Sequence, residues 1–181
     1  MKKAITIVLA LVISMPLLAE KPDVSEEKNV LKVNTLSLIV GTGSVFYERK
    51  INDFTSGQLG VAYLNYKFDD TGFSGLILTP EVRFYAKQDA IDGFYIGPYI
   101  RYQNYSVTIK ESTDHFGYTN FGGGVSLGRQ WVTKSGFTMD LFFGGHYAKG
   151  NASAELQGES FSGDIFEGFR TRMGFALGFA F

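Results

Sequence analysis

The chain has 181 residues, 22 glycines, 17 phenylalanines, 10 tyrosines, one tryptophan and no cysteine, with a formal charge of −1. That length holds one domain of ordinary size. The missing cysteines exclude a disulfide scaffold and any thiolate metal site, and the near-zero charge gives no footprint for a polyanion such as nucleic acid. Aromatic and β-branched residues recurring between glycines are the composition of an all-β chain.

In chain order, Met1, Lys2 and Lys3 form a short basic segment ahead of the apolar run Ala4 to Ala19. This pattern is expected to be an export signal peptide, residues 1–19, cleaved after Ala19. Without Lys2 and Lys3 the mature chain keeps 15 basic against 18 acidic residues, a charge of −3. Residues 20–29 (EKPDVSEEKN) are polar and lack a period, so a flexible periplasmic tail is expected there.

From Val30 to Phe181 the dominant period is two. A strand between lipid and a polar lumen must alternate apolar with polar or small residues, because successive side chains face opposite sides. Leu76, Leu78, Val82 and Phe84 oppose Gly75, Thr79, Glu81 and Arg83; Ile96, Pro98, Ile100 and Tyr102 oppose Gly97, Arg101 and Gln103. Further on, Phe137, Met139, Leu141, Phe143 and Tyr147 oppose Thr138, Asp140, Gly144 and His146, and Met173, Phe175, Leu177, Phe179 and Phe181 oppose Arg172, Gly174, Ala176, Gly178 and Ala180. Eight strands follow, near 30–42, 44–52, 54–68, 73–87, 93–110, 118–132, 137–149 and 168–181. The expected fold is an all-β, eight-stranded antiparallel up-and-down transmembrane β-barrel over residues 30–181. Its turns at Asn52–Asp53, Lys87–Asp92 and Thr133–Gly136 are short. Gly43 makes a tight first connection on the opposite side, with outer loops at Asp69–Gly72, Glu111–Gly117 and Gly150–Glu167. Trp131, Phe94, Phe137 and Phe181 are expected in an aromatic girdle at the periplasmic rim.

The blocks Leu31-Lys32-Val33-Asn34, Gly41-Thr42-Gly43, Tyr47-Glu48-Arg49-Lys50, Thr79 to Tyr85 and Gly93 to Tyr102 resemble a family of small outer-membrane barrels of undetermined function common in Bacteroidetes. In plan the chain is similar to OmpX/OmpW-like eight-stranded barrels. The ending Gly174 to Phe181, with Phe175, Leu177, Phe179 and the terminal Phe181, resembles the signal read by the barrel-assembly machinery. The resemblance implies a location and a fold, with outer-membrane lipid as the surroundings, and carries no catalytic residues.

If the faces are assigned in this way, Glu81, Arg83, Arg101, Asp140, His146, Arg170 and Arg172 point into the lumen. A barrel of eight strands is only wide enough for side chains to fill, so facing charges must pair. The expected arrangement is an ion-pair plug of Glu81 and Asp140 against Arg83, Arg101, Arg170 and Arg172. The second reading is a narrow conduit for small solutes or hydrophobic compounds. A lipid-modifying enzyme comes third: His146 and Asp140 stand six residues apart on one strand, and His115 lies in an outer segment near Ser112 and Asp114. The outer acids Asp69, Asp70, Glu111, Asp114, Glu155, Glu159, Asp164 and Glu167 match no calcium loop, and Gly122-Gly123-Gly124 lies inside a strand and not ahead of a helix. No enzyme activity, metal or cofactor is expected, and contacts with an envelope partner are expected through loop 150–167. A soluble barrel with its apolar residues turned inward is the competing fold.

Overall fold

The computed structural model describes residues 27–39, 41–68, 71–87, 90–109, 115–156 and 159–181. The expected signal peptide and most of the expected tail lie outside them. Eight antiparallel strands pair in chain order and close on themselves: β1 (Asn29–Asn34), β2 (Thr42–Lys50), β3 (Thr55–Phe68), β4 (Thr71–Tyr85), β5 (Gly93–Ile109), β6 (His115–Val132), β7 (Phe137–Leu156) and β8 (Glu159–Ala180). The seam runs from Val30↔Ala180 to Asn34↔Ala176, so an up-and-down barrel forms with Asn29 and Phe181 at one rim. There Asn29 N–H donates to the Phe181 carbonyl at 2.9 Å, and Phe181 N–H returns a bond of the same length to Asn29.

Closure removes every strand edge over the height of the seam, which is how a barrel of this size satisfies its backbone donors and acceptors. Alternation then sorts the side chains. Lys32, Glu48, Glu81, Arg83, Gln130 and Asp140 are buried inside, whereas Leu59, Ile96, Leu127, Leu141, Phe143 and Met173 stand exposed on the outside. The interior is polar and the exterior apolar, the reverse of a soluble barrel. The faces assigned above within Gly75–Phe84, Ile96–Gln103, Phe137–Tyr147 and Arg170–Phe181 are the faces the structure has.

Three expectations about the connections are corrected. Residues 30–42 do not form one strand: β1 stops at Asn34 and a single helical turn, α1 (Thr35–Ile39), follows. Leu36 and Leu38 alternate with Thr35 and Ser37 and so read as strand, but on the parity opposite to Leu31 and Val33. The helical turn is set by Ser37 Oγ donating to the Asn34 carbonyl at 2.8 Å and ends at Gly41, whose φ of 73° only glycine adopts cheaply. The tight first connection placed at Gly43 is therefore α1 with Gly41, and Gly43 itself lies in β2. Residues 150–167 are not a long loop: β7 runs to Leu156 and β8 starts at Glu159, with a register irregularity between Lys149 and Asn151 and pairing resumed through Ala152↔Gly163 and Ser153↔Ser162. The small polar residues that read as a loop are no obstacle to this pairing, which uses backbone groups alone. The wall is consequently lopsided, rising from the 6 residues of β1 to the 22 of β8.

At the short-turn rim, the one that also carries Asn29 and Phe181, the connection after β4 folds across the opening. Ala90 N–H donates to the Asp53 carbonyl at 2.8 Å, and fully buried Ile91 packs with Val30, Val132 and Ala180. Ile91 has φ of 78°, an unfavourable conformation for a β-branched residue. Its carbonyl accepts a bond of 2.8 Å from Gln130 Nε2, and this bond with the packing holds it there.

Inside so narrow a lumen, large side chains need facing small ones. A Cβ at Gly97 would lie 2.6 Å from Glu81 Oε1 and 3.1 Å from Ser126 Oγ, whereas one at Gly168 meets nothing. Gly97→Val should lower stability by about 1–3 kcal/mol through overpacking, with Gly168→Ala near neutral. Urea unfolding followed by Trp131 fluorescence measures both, and equal midpoints would contradict the packing described.

Candidate functional site

The site is the lumen. Its centre is a charge network built from β1, β2, β4, β7 and β8. Lys32 Nζ donates to Glu48 Oε2 at 2.6 Å, to Asp140 Oδ2 at 2.9 Å and to Gln130 Oε1. Arg83 spans three carboxylates, reaching Glu81 Oε1 at 3.0 Å, Glu48 Oε2 at 3.2 Å and Asp140 Oδ2 at 2.8 Å. Arg172 Nη1 adds a pair with Glu81 Oε2 at 2.7 Å.

Three cations thus face three carboxylates, and hydroxyls occupy the remaining acceptor positions. Tyr85 and Ser56 donate to Glu48 Oε1 at 2.6 and 2.5 Å, Tyr95 to Asp140 Oδ1 at 2.9 Å, and Ser126 to Glu81 Oε1 at 2.9 Å. Such saturation is what allows ions to be kept away from bulk water, where removing a charge otherwise costs several kcal/mol per ion. The Arg83 guanidinium also lies over the Tyr95 ring, 4.1 Å from its centroid.

Above the network sits an aromatic shelf. Phe46 meets Phe142 edge to face at 5.9 Å, and Arg172 is held 4.6 Å from the Phe142 ring and 4.8 Å from that of Tyr99. Beyond the shelf the described lumen residues make polar contacts and, among themselves, no ion pair. Arg101 Nη1 donates to Thr79 Oγ1 at 3.1 Å, Arg170 Nη2 to the Tyr118 hydroxyl at 2.7 Å, and Tyr105 stacks on Tyr118 at 6.2 Å.

Of the lumen residues expected from sequence, Glu81, Arg83, Asp140 and Arg172 are brought together. Arg101 and Arg170 also project inward but stand outside the network, and among the described residues neither pairs with a carboxylate. Lys32 and Glu48 were missed, although Leu31-Lys32-Val33 and Tyr47-Glu48-Arg49 carry the same alternation on shorter strands. Gln130, Tyr85 and Tyr95 were missed too, because a neutral polar or aromatic residue on the inner face looks no different in sequence from one on the outer.

His146 Nδ1 is 3.1 Å from the Tyr99 hydroxyl, and Asp140 is bound by Lys32, Arg83 and Tyr95, so the two form no pair. The acids Asp69, Asp70, Glu111 and Asp114 and the residue Ser112 lie outside the described residues, as do the side chains of His115, Glu155, Glu159 and Asp164. Glu167 is described: it pairs with Lys149 at 3.0 Å and accepts a bond of the same length from Tyr147. Gly122, Gly123 and Gly124 lie within β6. Phe175, Leu177 and Phe179 face outward on β8, with Phe181 just beyond it.

A family described as "Protein of unknown function (DUF3575)" matches residues 5–172 of the chain. The chain belongs to this family. Among curated proteins nothing matches the chain. Family membership names no activity, so the chemistry of the lumen itself has to carry the functional argument.

Removing one member of the network leaves an opposite charge buried and unmatched. Asp140→Ala is expected to destabilise the barrel by about 3–5 kcal/mol. Adding Lys32→Met restores neutrality, so the double variant should cost clearly less than the two single changes summed. Urea midpoints for the four proteins of this cycle measure the coupling, and strict additivity would show that the pair does not act as a unit.

Proposed function

We propose that the chain is an integral outer-membrane barrel with its lumen closed by the ion-pair network, serving envelope structure or partner binding through its outward-projecting strands. The observation that carries this reading is the inverted distribution of side chains. Large apolar residues are exposed on every one of the eight strands, from Leu31 and Val45 through Leu59, Leu76, Ile96, Leu127 and Leu141 to Met173, while Lys32, Glu48, Glu81, Arg83, Asp140 and Arg172 lie inside. Soluble monomers rarely expose contiguous apolar patches beyond a few hundred Å².

The height of this band supports the same surroundings. On β5 the outward run from Phe94 to Tyr102 covers about 27 Å of strand. At a tilt of about 40° that is roughly 20 Å of wall, close to the apolar band of about 25 Å typical of outer-membrane barrels. At the short-turn rim, Trp131, Phe94 and Phe137 line the outer surface, and Arg129 lies 5.0 Å from the Trp131 ring and 4.6 Å from that of Phe94. A cation among aromatic rings suits a level where hydrocarbon gives way to head groups.

Closure is supported at two levels: the Ile91 turn across one rim and the six-charge network above it. The β7–β8 hairpin, which replaces the expected loop 150–167, is the part of this reading that would meet an envelope partner. No catalytic residue, metal or cofactor is assigned, and insertion is proposed to use the barrel-assembly machinery through the Phe175 to Phe181 ending.

Membrane fractionation with gel mobility before and after boiling tests the location. The chain is expected in the outer membrane, resistant to alkaline extraction, with unheated protein running apart from boiled protein. Recovery in the soluble periplasm with a single mobility would overturn the reading. Phospholipids brominated near the head group should quench Trp131 more strongly than those brominated near the chain end. Planar bilayers containing the purified protein should show no conductance steps, and regular steps would replace the closed lumen with a conduit.

A further inference from the structure

Two features meet on the tall side of the seam. The first is a break in the wall. β1 pairs with β8 only as far as Asn34↔Ala176, and β2 pairs with β3 only as far as Thr42↔Leu64. Beyond those pairs no strand among the described residues stands between β8 and β3. The gap is bridged by α1, tied to β8 by Thr35 Oγ1 donating to the Phe175 carbonyl at 2.8 Å. A cavity of about 570 Å³ opens here, lined by lumen-facing Arg101 and Arg172, by outward-facing Val61 and Met173, and by Leu36 and Ile39 of α1. The lining thus joins residues of the lumen to residues of the helical turn at the level where the wall is interrupted.

The second feature is spare cationic donor capacity at the inner end. Arg172 gives Nη1 to Glu81, while its Nη2 is buried without a partner. Arg101 reaches only the Thr79 hydroxyl, and the carboxylates below are already saturated by Lys32, Arg83 and the hydroxyls. Two guanidinium groups lining one cavity, each with donors to spare, present the planar, forked geometry that binds carboxylate or phosphate oxygens best. The outer end of the same cavity, at Leu36, Ile39, Val61 and Met173, carries no charge.

We propose that this portal binds a single-chain amphiphile with an anionic head. The head, a carboxylate or phosphate, lies between Arg101 and Arg172, and the hydrocarbon chain leaves through the gap beneath α1. The volume is in the range that holds small ligands. The assignment rests on the proposed membrane setting for the course of the tail, while the head-group site is a property of the folded barrel and can be measured on purified protein.

The test is a titration of the full chain, folded in zwitterionic detergent, with dodecanoate carrying a ¹³C carboxyl label, followed by NMR, with dodecanol and inorganic phosphate as comparison probes. Dodecanoate is expected to saturate at one per barrel, with either comparison probe about tenfold weaker or worse, since each lacks one half of the recognition. Arg101→Gln should weaken dodecanoate by about tenfold through loss of a charge-assisted bond. Ile39→Asp, placed on α1 and away from the strand ladder, should weaken it as well. Boiling-dependent gel mobility shows whether each variant is a folded barrel. Equal binding of dodecanol, equal binding of inorganic phosphate, or unchanged affinity in both folded variants would overturn the proposal. Failure of the membrane reading appears elsewhere, as soluble recovery on fractionation, so the two outcomes are told apart.

Discussion

A barrel of eight strands has too little interior for water to solvate ions, so charges placed there must neutralise one another at contact distance. That requirement shapes this protein. Lys32, Arg83 and Arg172 meet Glu48, Glu81 and Asp140, and the neutral partners Ser56, Tyr95 and Gln130 come from the strands that supply no ion, so all eight strands contribute a side chain. The network therefore ties the cylinder across its diameter as well as around its circumference. Glycine at 97 is the steric counterpart of the same arrangement, since Glu81 has nowhere else to lie.

The apolar exterior and the charged interior are two products of one alternation. Shifting any strand by one residue would turn its ions toward the outside and its leucines inward, so the network and the outer face fix the register jointly. This coupling explains why the face assignments made from four segments hold while the element boundaries do not. Faces are set by a period that runs through each strand. Boundaries depend on which neighbour is present to pair.

Legibility in the sequence follows that distinction. Glu81, Arg83, Asp140 and Arg172 were readable as lumen residues because each lies in a long run flanked by Leu, Val, Phe or Met. Lys32 and Glu48 were not singled out, because β1 offers 6 residues and β2 9, too few for the period to stand out. At α1 the alternating Leu36 and Leu38 imitate a strand, and what marks the helical turn is a local bond that no periodicity shows, from Ser37 Oγ to the Asn34 carbonyl. Residues 150–167 show the opposite failure. Their Gly, Ser, Asn and Asp content reads as a loop, but mutual pairing of β7 and β8 needs backbone groups only. That Arg101 and Arg170 stand apart from the ion pairs could not be read from sequence, since facing inward does not say at what height.

The unequal strands bear on how such a wall is closed. The first strand is made at the start of the chain and its partner at the very end, so the join between them has to wait for everything else. It is also a short zip, running only from Val30 to Asn34 along β8 and no longer than the pairing of β1 with β2. Its clasp is Lys32, which reaches past the join to Asp140 on β7. Unzipping β1 would strand an ammonium on one side and leave Arg83 as the main counter-charge for Glu48 and Asp140 on the other. A join with few backbone rungs is thereby latched by the group that would be most costly to leave alone.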